Sequence, residues 1–191
     1  MLIYSVLLSV AVALLRGGRL GRLADAPLRL VPVIFLALLL RVSLHIPATA
    51  RLPAVTAGAG AIFVASYLLL LGAILANRRL PGIPWMGGGA ALNFAVIAAN
   101  GMKMPVCAAA MGRADLGHLL EPLAAGALLT HELLTEASRL PFLADIFVLP
   151  APLPRPTVFS PGDGLLMLGS FLLVQSLMLG KVKPTTRSPA G

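Results

Sequence analysis

Two aspartates near the carboxyl end of the chain are the residues best suited to chemistry. Asp145 lies in an apolar stretch, and Asp163 follows Ser-Pro-Gly directly before the last hydrophobic run. Two carboxyl groups held close together at a membrane edge take up different pKa values, so that one donates a proton while the other accepts one. A pair of this kind activates water, and the two aspartates are therefore candidate catalytic groups for hydrolysis.

Each aspartate also has a structural explanation. Asp163 suits the first turn of a helix, where a carboxylate accepts bonds from free backbone N–H groups and faces the positive end of the helix dipole. Asp145 suits an interfacial ion pair with Arg139 or Arg155. Either explanation is the commoner one for a single residue, but the occurrence of both aspartates around one loop favours a joint role.

Four further polar residues lie in or next to the hydrophobic runs and are candidate binding residues. The second run covers residues 30–46 and the fourth covers residues 83–99. Arg41 lies well inside the second run, and His45 follows one helical turn later on the same face. Arg41 either extends to the outer headgroups or faces inward and pairs with an acid. Asn100 and Lys103 follow the fourth run, where they suit either a helix end or a binding role.

No cofactor or metal site is expected. The sequence lacks the common nucleophile, zinc-protease and phosphate-loop motifs. His118 and His131 have a spacing that fits no standard pair of metal ligands.

Composition indicates a membrane protein. Of the 191 residues, 58% are hydrophobic and 12% are charged, and the mean hydropathy is +0.93. A soluble fold with this composition would expose large apolar patches and aggregate. The net charge of +8 lies in clusters between apolar runs, a pattern that sets membrane orientation. It forms no basic stripe with interleaved aromatics, so no nucleic-acid partner is expected; membrane lipids are the expected partners.

The apolar runs predict an all-α, polytopic bundle of about five spans in a single membrane domain covering residues 1–191. The predicted spans are 1–15, 30–46, 54–76, 83–99 and 164–180. Residues 100–163 are expected to form an outer segment of helices at the membrane interface. The stretch Leu116–Leu134 within it either lies flat or adds a span, which would carry Glu121 and His131 into lipid at a high cost.

The basic clusters predict the orientation. Arginines follow the first run and the third run, and lysines and arginine fill the tail 181–191. Five spans place these clusters on one side, the cytoplasm, with the N-terminus outside and the C-terminus inside a bacterial inner membrane. The turn at Arg51 and the outer segment then lie on the opposite side.

Small residues in two spans predict close helix packing. Gly58 and Gly60 lie in the third run, and Gly87, Gly88 and Gly89 lie in the fourth. Small side chains let helix backbones approach each other, so these two spans are expected to pack together. The alternative is a space for a flat ligand or a lipid.

Several motifs resemble those of a family of bacterial multipass membrane proteins described only as a domain of unknown function. They are Arg16-Gly-Gly-Arg-Leu, then Leu92-Asn-x-x-Val-Ile-x-x-Asn-Gly with Met104-Pro-Val, then Leu-x-Asp145-Ile and Ser160-Pro-Gly-Asp163. The resemblance covers nearly the whole chain and implies a bacterial membrane protein without implying an activity. The chain has Met102 and Lys103 where the family pattern has Gly and Arg, which argues against a bidentate role for Lys103.

The last third of the chain is also similar to lipoprotein signal peptidase, a membrane aspartyl peptidase. Asn100, Asp145 and Asp163 occur in the order of that enzyme's Asn-Gly segment and two catalytic aspartates. The resemblance implies a catalytic role for Asp145 and Asp163. The chain departs from it at Ser-Pro-Gly-Asp163, where the enzyme has an Asn-Ala-Asp type of motif.

Three functions follow as hypotheses. The small number of charges within the spans favours a non-catalytic accessory subunit, or a scaffold that binds lipid or a partner within a larger membrane complex. A membrane-embedded aspartyl hydrolase using Asp145 and Asp163 is the alternative. A small transporter comes third, because no inverted repeat is visible.

Overall fold

The fold is mostly helical, with a smaller region of short strands. The computed structural model describes residues 1–46, 49, 52–149 and 156–182. The helices are α1 (Leu2–Leu15), α2 (Gly21–Ala24), α3 (Val31–Ser43), α4 (Pro53–Ala76), α5 (Ile83–Ala99), α6 (Ala108–Arg113), α7 (Leu120–Ala124) and α8 (Pro161–Met178). The strands are β1 (Met104–Val106), β2 (His131–Leu133), β3 (Phe147–Leu149) and β4 (Thr157–Phe159). The predicted turn at Arg51, the connection with Arg155 and the tail beyond Val182 lie outside the described residues.

The five predicted apolar runs are helices. Among the described residues, α4 and α8 are the two helices long and apolar enough to cross a membrane by themselves, while α1, α3 and α5 are shorter apolar helices. Proline occupies the first turn of α3, α4, α5 and α8, where its fixed φ suits a helix and its missing N–H needs no partner.

The outer segment differs from the all-helical prediction. It contains the two short helices α6 and α7 and all four strands. β1 and β2 pair in parallel, β3 and β4 pair antiparallel, and an isolated bridge joins Val106 to Asp145. Prolines at 105, 122 and 141 and left-handed backbone at Asp115, Gly126 and Leu140 interrupt helices here.

The stretch Leu116–Leu134 forms no spanning helix, because it holds α7 at one end and β2 at the other. Glu121 and His131 belong to the outer segment, and neither is carried through a helical span.

The closest helix contact lies between α5 and α8, where two pairs of glycines face each other. A Cβ atom on Gly89 would overlap the carbonyl oxygen of Gly162, and one on Gly169 would lie 2.5 Å from the carbonyl oxygen of Gly82. The helix backbones therefore touch, as small residues allow in apolar surroundings.

The predicted packing of the two glycine-rich spans on each other is present, since the rings of Tyr67 in α4 and Phe94 in α5 lie 5.3 Å apart, but the closest backbone approach of α5 is to α8. Gly87 does face Ile74 of α4, but Gly88 faces Leu165 and Gly89 faces Leu166, both on α8. The glycines of α4 contact other groups. The nearest atoms to Gly58 and Gly60 belong to Ile62 of the same helix and to Met102. The glycines of α5 predicted a close helix contact. The helix that makes this contact is α8, near the other end of the sequence.

A ladder of polar side chains joins α1 to α8. Ser5 Oγ donates to the carbonyl oxygen of Met167 at 2.6 Å, and Ser9 Oγ donates to that of Phe171 at 2.8 Å. One turn further, Gln175 Nε2 donates to the carbonyl oxygen of Ser9 at 2.6 Å and its Oε1 accepts from Arg16 at 3.0 Å. Buried hydrogen bonds between otherwise apolar helices fix their register.

Basic residues from three separate parts of the sequence lie together at one end of the bundle. Arg16, Arg78, Arg79 and Lys181 line a single groove, called the basic groove below, between the ends of α1 and α8 and the start of α5. The backbone of Arg29 is tied to the same end, because its N–H and C=O bond the side chain of Asn77 at the end of α4.

The glycine contact gives a test of the fold. Gly89→Ala is expected to lower the free energy of unfolding by about 2 kcal/mol or more, because the methyl group meets backbone that cannot move without separating α5 from α8. Gly72→Ala in α4 is the matched control. Its Cβ would meet nothing within 4 Å, and alanine favours helix over glycine by up to about 1 kcal/mol.

Thermal unfolding of both variants in detergent measures the difference. Equal melting temperatures for the two variants would contradict the close α5–α8 contact.

Candidate functional site

A cleft of about 270 Å³ opens where α3, α4, α5 and α8 meet the outer segment. Four of the predicted site residues line it: Arg41, His45, Asp145 and Asp163. They come from three distant parts of the sequence, so the fold itself brings them together. Met1, at the start of α1, also lines this cleft.

Asp163 is held by the first turn of α8. Its Oδ2 accepts from the backbone N–H of Ser160 at 3.2 Å, while Ser160 Oγ accepts from the backbone N–H of Asp163 at 3.0 Å. This reciprocal capping box begins the helix. The second oxygen, Oδ1, accepts from Asn93 Nδ2 of α5 at 2.9 Å. Both oxygens of Asp163 thus act as acceptors, as those of a carboxylate do.

Asn93 connects this cap to the helix contact. Its Oδ1 accepts from Ser160 Oγ at 2.8 Å, and a Cβ on Gly162 would overlap the same amide. Glycine at 162 therefore lets α5 come close enough for Asn93 to reach both Ser160 and Asp163. The structural explanation for Asp163, a first-turn acid, is correct, and the residue also borders the cleft.

Asp145 is held by its backbone rather than by its side chain. Its N–H donates to the carbonyl oxygen of Pro105 and its C=O accepts from the N–H of Cys107, both at 3.0 Å. The residue is 6% exposed, and Oδ1 is buried without a hydrogen-bond partner among the described residues. Burial, assisted by the negative charge of Asp163, raises the pKa of Asp145 to about 8. The carboxyl group is therefore neutral at pH 7.

His131 approaches Asp145 without forming an ion pair. Its Nε2 lies 4.0 Å from Asp145 Oδ2, beyond hydrogen-bond distance. Burial, together with the positive charges of His45 and Arg41, lowers the pKa of His131 to about 4. Since Asp145 is neutral up to about pH 8, both side chains are uncharged between these values.

The two histidines are linked through Thr130. Thr130 Oγ1 lies 2.8 Å from His131 Nδ1 and 3.4 Å from His45 Nε2, and the two imidazole rings meet edge to face with centroids 6.3 Å apart. His45 Nδ1 in turn lies 2.9 Å from the carbonyl oxygen of Arg41. A chain of polar groups therefore runs from the end of α3 to Asp145.

Arg41 faces inward, as one of its two predicted alternatives stated, but the acid partner of that alternative is replaced by aromatic side chains. Its Nη2 donates to Tyr67 Oη at 3.1 Å, and its guanidinium lies over the rings of Tyr67 and Phe63 at 4.5 and 5.0 Å. Aromatic faces stabilise a cation in apolar surroundings. Within the part of the chain that the structure describes, no acid lies within ion-pair distance of Arg41. Its positive charge is thus available to the cleft.

Asn100 and Lys103 do not line the cleft. Asn100 ends α5, where its Nδ2 donates to the carbonyl oxygens of Val96 and Arg139 at 2.7 and 2.8 Å. Its Oδ1 accepts from the N–H of Arg139 at 2.8 Å. It thereby ties the outer segment to α5 shortly before Asp145. Lys103 is half-buried in the turn between α5 and β1.

Sequence reasoning missed four members of the site: Tyr67, Asn93, Thr130 and His131. Asn93 carried a usable signal, because an amide in the middle of an apolar helix needs a partner. His131 was weighed only as a metal ligand with His118. Over the described residues, no group of three or more His, Cys, Asp or Glu side chains is placed to hold a metal ion.

Most of the chain, residues 25–175, matches a family model described as "Family of unknown function (DUF5317)". The chain belongs to this family. The DUF5317 region includes Arg41, Asn93, Asp145 and Asp163, and it contains every residue that lines the cleft except Met1. The predicted resemblance to a domain of unknown function is confirmed. No curated protein and no solved structure is similar enough to the chain to match it.

The raised pKa of Asp145 predicts a specific dependence of stability on pH. The unfolded chain releases this proton near pH 4, whereas the folded protein keeps it to about pH 8. The stability that neutral Asp145 contributes is therefore complete below about pH 4 and is lost as the pH rises to about 8. Asp145→Asn, which is neutral at every pH, is expected to melt close to the parent protein at pH 4 but about 5 °C or more above it at pH 8.

Melting curves in detergent at several pH values test this expectation. Asp115→Asn is the matched control, because Asp115 is exposed and its left-handed backbone accepts asparagine. A difference between Asp145→Asn and the parent protein that does not change with pH would show that folding leaves the pKa of Asp145 unchanged, which contradicts the raised pKa.

Proposed function

We propose that the protein is a multipass protein of the bacterial inner membrane, with α1, α3, α4, α5 and α8 as its five spans. The alternation of the helices supports this proposal. Residues at the start of α1 and α8 and near the end of α3 line the cleft, whereas the end of α1 and the start of α5 line the basic groove. Each helix thus runs between the two ends of the bundle, in alternating directions.

The outer surface of the bundle supports the same proposal. Large apolar side chains are exposed on α1 and α3, among them Leu7 and Leu8 of α1 and Phe35 and Leu39 of α3, each at least 59% exposed. An apolar surface of this kind suits hydrocarbon rather than water. The polar ladder lies inside, between α1 and α8, where membrane helices place such groups.

The short helices α1 and α3 set a limit on membrane thickness. They contain 14 and 13 residues, which span about 20 Å at the helical rise, against a hydrocarbon core of about 30 Å. A local thinning of the bilayer accommodates the difference.

The proposed orientation places the cleft outside and the basic groove in the cytoplasm. In a Cys107→Ser background, Glu136→Cys at the outer segment is expected to react with a membrane-impermeant maleimide on intact spheroplasts. Arg79→Cys at the basic groove is expected to react only after the membrane is opened. Both positions are exposed, so their chemical reactivity is matched. Labelling of Arg79→Cys but not of Glu136→Cys in intact spheroplasts would show the reverse orientation, and equal labelling of both cysteines would contradict the five spans.

We propose that the cleft carries out aspartyl hydrolysis of an amide or ester bond at the outer membrane surface. The observation that carries the proposal is that Asp145 and Asp163 share one cleft in different environments. Asp145 is buried and keeps its proton at pH 7, whereas Asp163 accepts hydrogen bonds on both oxygens. Such opposed environments separate the acid from the base in a pair of carboxyl groups.

In the proposed reaction Asp163 acts first as a base and Asp145 acts first as an acid. Asp163 takes a proton from water as the water oxygen bonds to the substrate carbonyl carbon, and Asp145 gives its proton to the carbonyl oxygen. In the tetrahedral intermediate the bond from carbon to the leaving nitrogen or oxygen then breaks. The leaving group takes the proton held by Asp163, and the carboxylic acid product forms as a hydroxyl proton returns to Asp145. The positive charge of Arg41 at the cleft favours the developing negative charge on the carbonyl oxygen.

Cells that express the protein are expected to contain new N-termini in membrane proteins exposed at the outer face. These cleavages should be absent with Asp145→Asn and with Asp163→Asn, while Asp115→Asn preserves them. Asparagine at 163 still accepts hydrogen bonds as a helix cap does, which limits the effect of this variant on folding. Quantitative mass spectrometry of N-terminal peptides makes the measurement. Identical N-termini in all four strains would contradict peptide-bond hydrolysis.

The accessory-subunit and scaffold role stays a prediction. The structure gives it less support than composition did, because Gly88 and Gly89 pack against α8 within the chain rather than on an open face. Stoichiometric copurification with a larger complex would favour it. The transporter hypothesis also stays a prediction, and no specific observation favours it.

A further inference from the structure

The basic groove lies far from the two aspartates and combines two kinds of surface. Its volume is about 510 Å³. Four basic side chains line it, Arg16, Arg78, Arg79 and Lys181, and no Asp or Glu lies among the described residues of its wall. The lining also includes the apolar side chains of Trp85, Phe171 and Leu172, called the apolar wall below. Charged and apolar side chains therefore line the same groove.

The basic residues are placed to receive a ligand. Arg78, Arg79 and Lys181 are exposed. Arg16 is fixed against the wall by Gln175, whose Oε1 accepts from Arg16 Nη1 at 3.0 Å. Gln175 is buried and is itself held by Ser9. A guanidinium carries several N–H donors, so this bond orients Arg16 while leaving donors for a phosphate.

The apolar wall continues into the side of the bundle. Trp85 is 48% exposed and lies in the first turn of α5, and an indole at that level is typical of the boundary between headgroups and acyl chains. Phe171 and Leu172 belong to α8. An acyl chain can therefore follow this wall while a phosphate stays among the arginines.

We propose that the basic groove binds an anionic phospholipid, with the headgroup phosphate held by Arg16, Arg78, Arg79 and Lys181 and an acyl chain lying against Trp85 and Phe171. The proposal rests on the membrane placement proposed above. It does not depend on hydrolysis at the aspartates. The commitment to a lipid rather than a free phosphate follows from the apolar wall, which a soluble anion would leave exposed.

Trp85 is the only tryptophan in the chain, so its fluorescence reports directly on this groove. The full-length protein is reconstituted in phosphatidylcholine vesicles that contain either dibrominated phosphatidylglycerol or dibrominated phosphatidylcholine. Bromine on the acyl chain quenches nearby tryptophan. We expect the anionic lipid to quench Trp85 at a lower mole fraction than the zwitterionic one, with a preference of about tenfold.

The double substitution Arg78→Gln with Arg79→Gln is expected to reduce this preference by about fivefold or more, because each basic residue near an anionic surface contributes substantially to binding. Arg113→Gln with Arg139→Gln is the matched control. It removes the same charge from exposed positions of the outer segment and should leave the preference unchanged. All four arginines are exposed, so the substitutions spare the core.

The outcomes separate the possible failures. Equal quenching by the two lipids, or an equal loss in both double variants, overturns the lipid site while leaving the membrane placement intact. Loss of the preference when millimolar glycerol phosphate is added shows a site for soluble phosphates and also overturns the proposal. Quenching by neither lipid overturns the membrane placement together with the lipid site.

Discussion

The backbone contact between α5 and α8 is the constraint on which the rest of the structure depends. Gly89 meets Gly162, and Gly82 meets Gly169, at a separation that no larger residue permits. At this separation the side chain of Asn93 reaches across and bonds both Ser160 and Asp163. One glycine-lined helix contact thus determines where α8 begins and where Asp163 lies in the cleft.

The other carboxyl group is placed by different forces. Asp145 is anchored through its backbone to β1, and the outer segment that carries it is tied to α5 by the bonds of Asn100 to Arg139. Its side chain receives no comparable support, since Oδ1 is buried with no partner among the residues described. A buried carboxyl group without partners costs less free energy when it keeps its proton than when it is charged. Proteins keep such groups mainly at functional sites.

Local patterns in the sequence predicted the helices and part of the site. The apolar runs gave α1, α3, α4, α5 and α8 to within a few residues, because a long run of apolar residues between charged turns is a local property. The cap at Asp163 was equally local. The strands of the outer segment were missed, because each is only three residues long and is formed by pairing with another segment of the chain. The partner of the glycines in α5 was missed because that contact is not local, since α8 follows more than sixty residues later.

The electrostatic character of the cleft follows from burial and the distribution of charge together. Desolvation moves the pKa of Asp145 up to about 8 and that of His131 down to about 4, so each group favours its neutral form over the range between them. Asp145 and His131 are therefore both neutral between about pH 4 and about pH 8. In the proposed orientation the cleft faces the outside of the cell, where pH varies more than in the cytoplasm. A proton donor that works there benefits from burial, because the raised pKa keeps it protonated up to about pH 8. The guanidinium of Arg41 is held by aromatic rings instead of an acid. The site thus combines an arginine stacked on aromatic rings, a buried carboxyl group that keeps its proton and a second carboxyl group that accepts hydrogen bonds on both oxygens, each positioned by a different part of the fold.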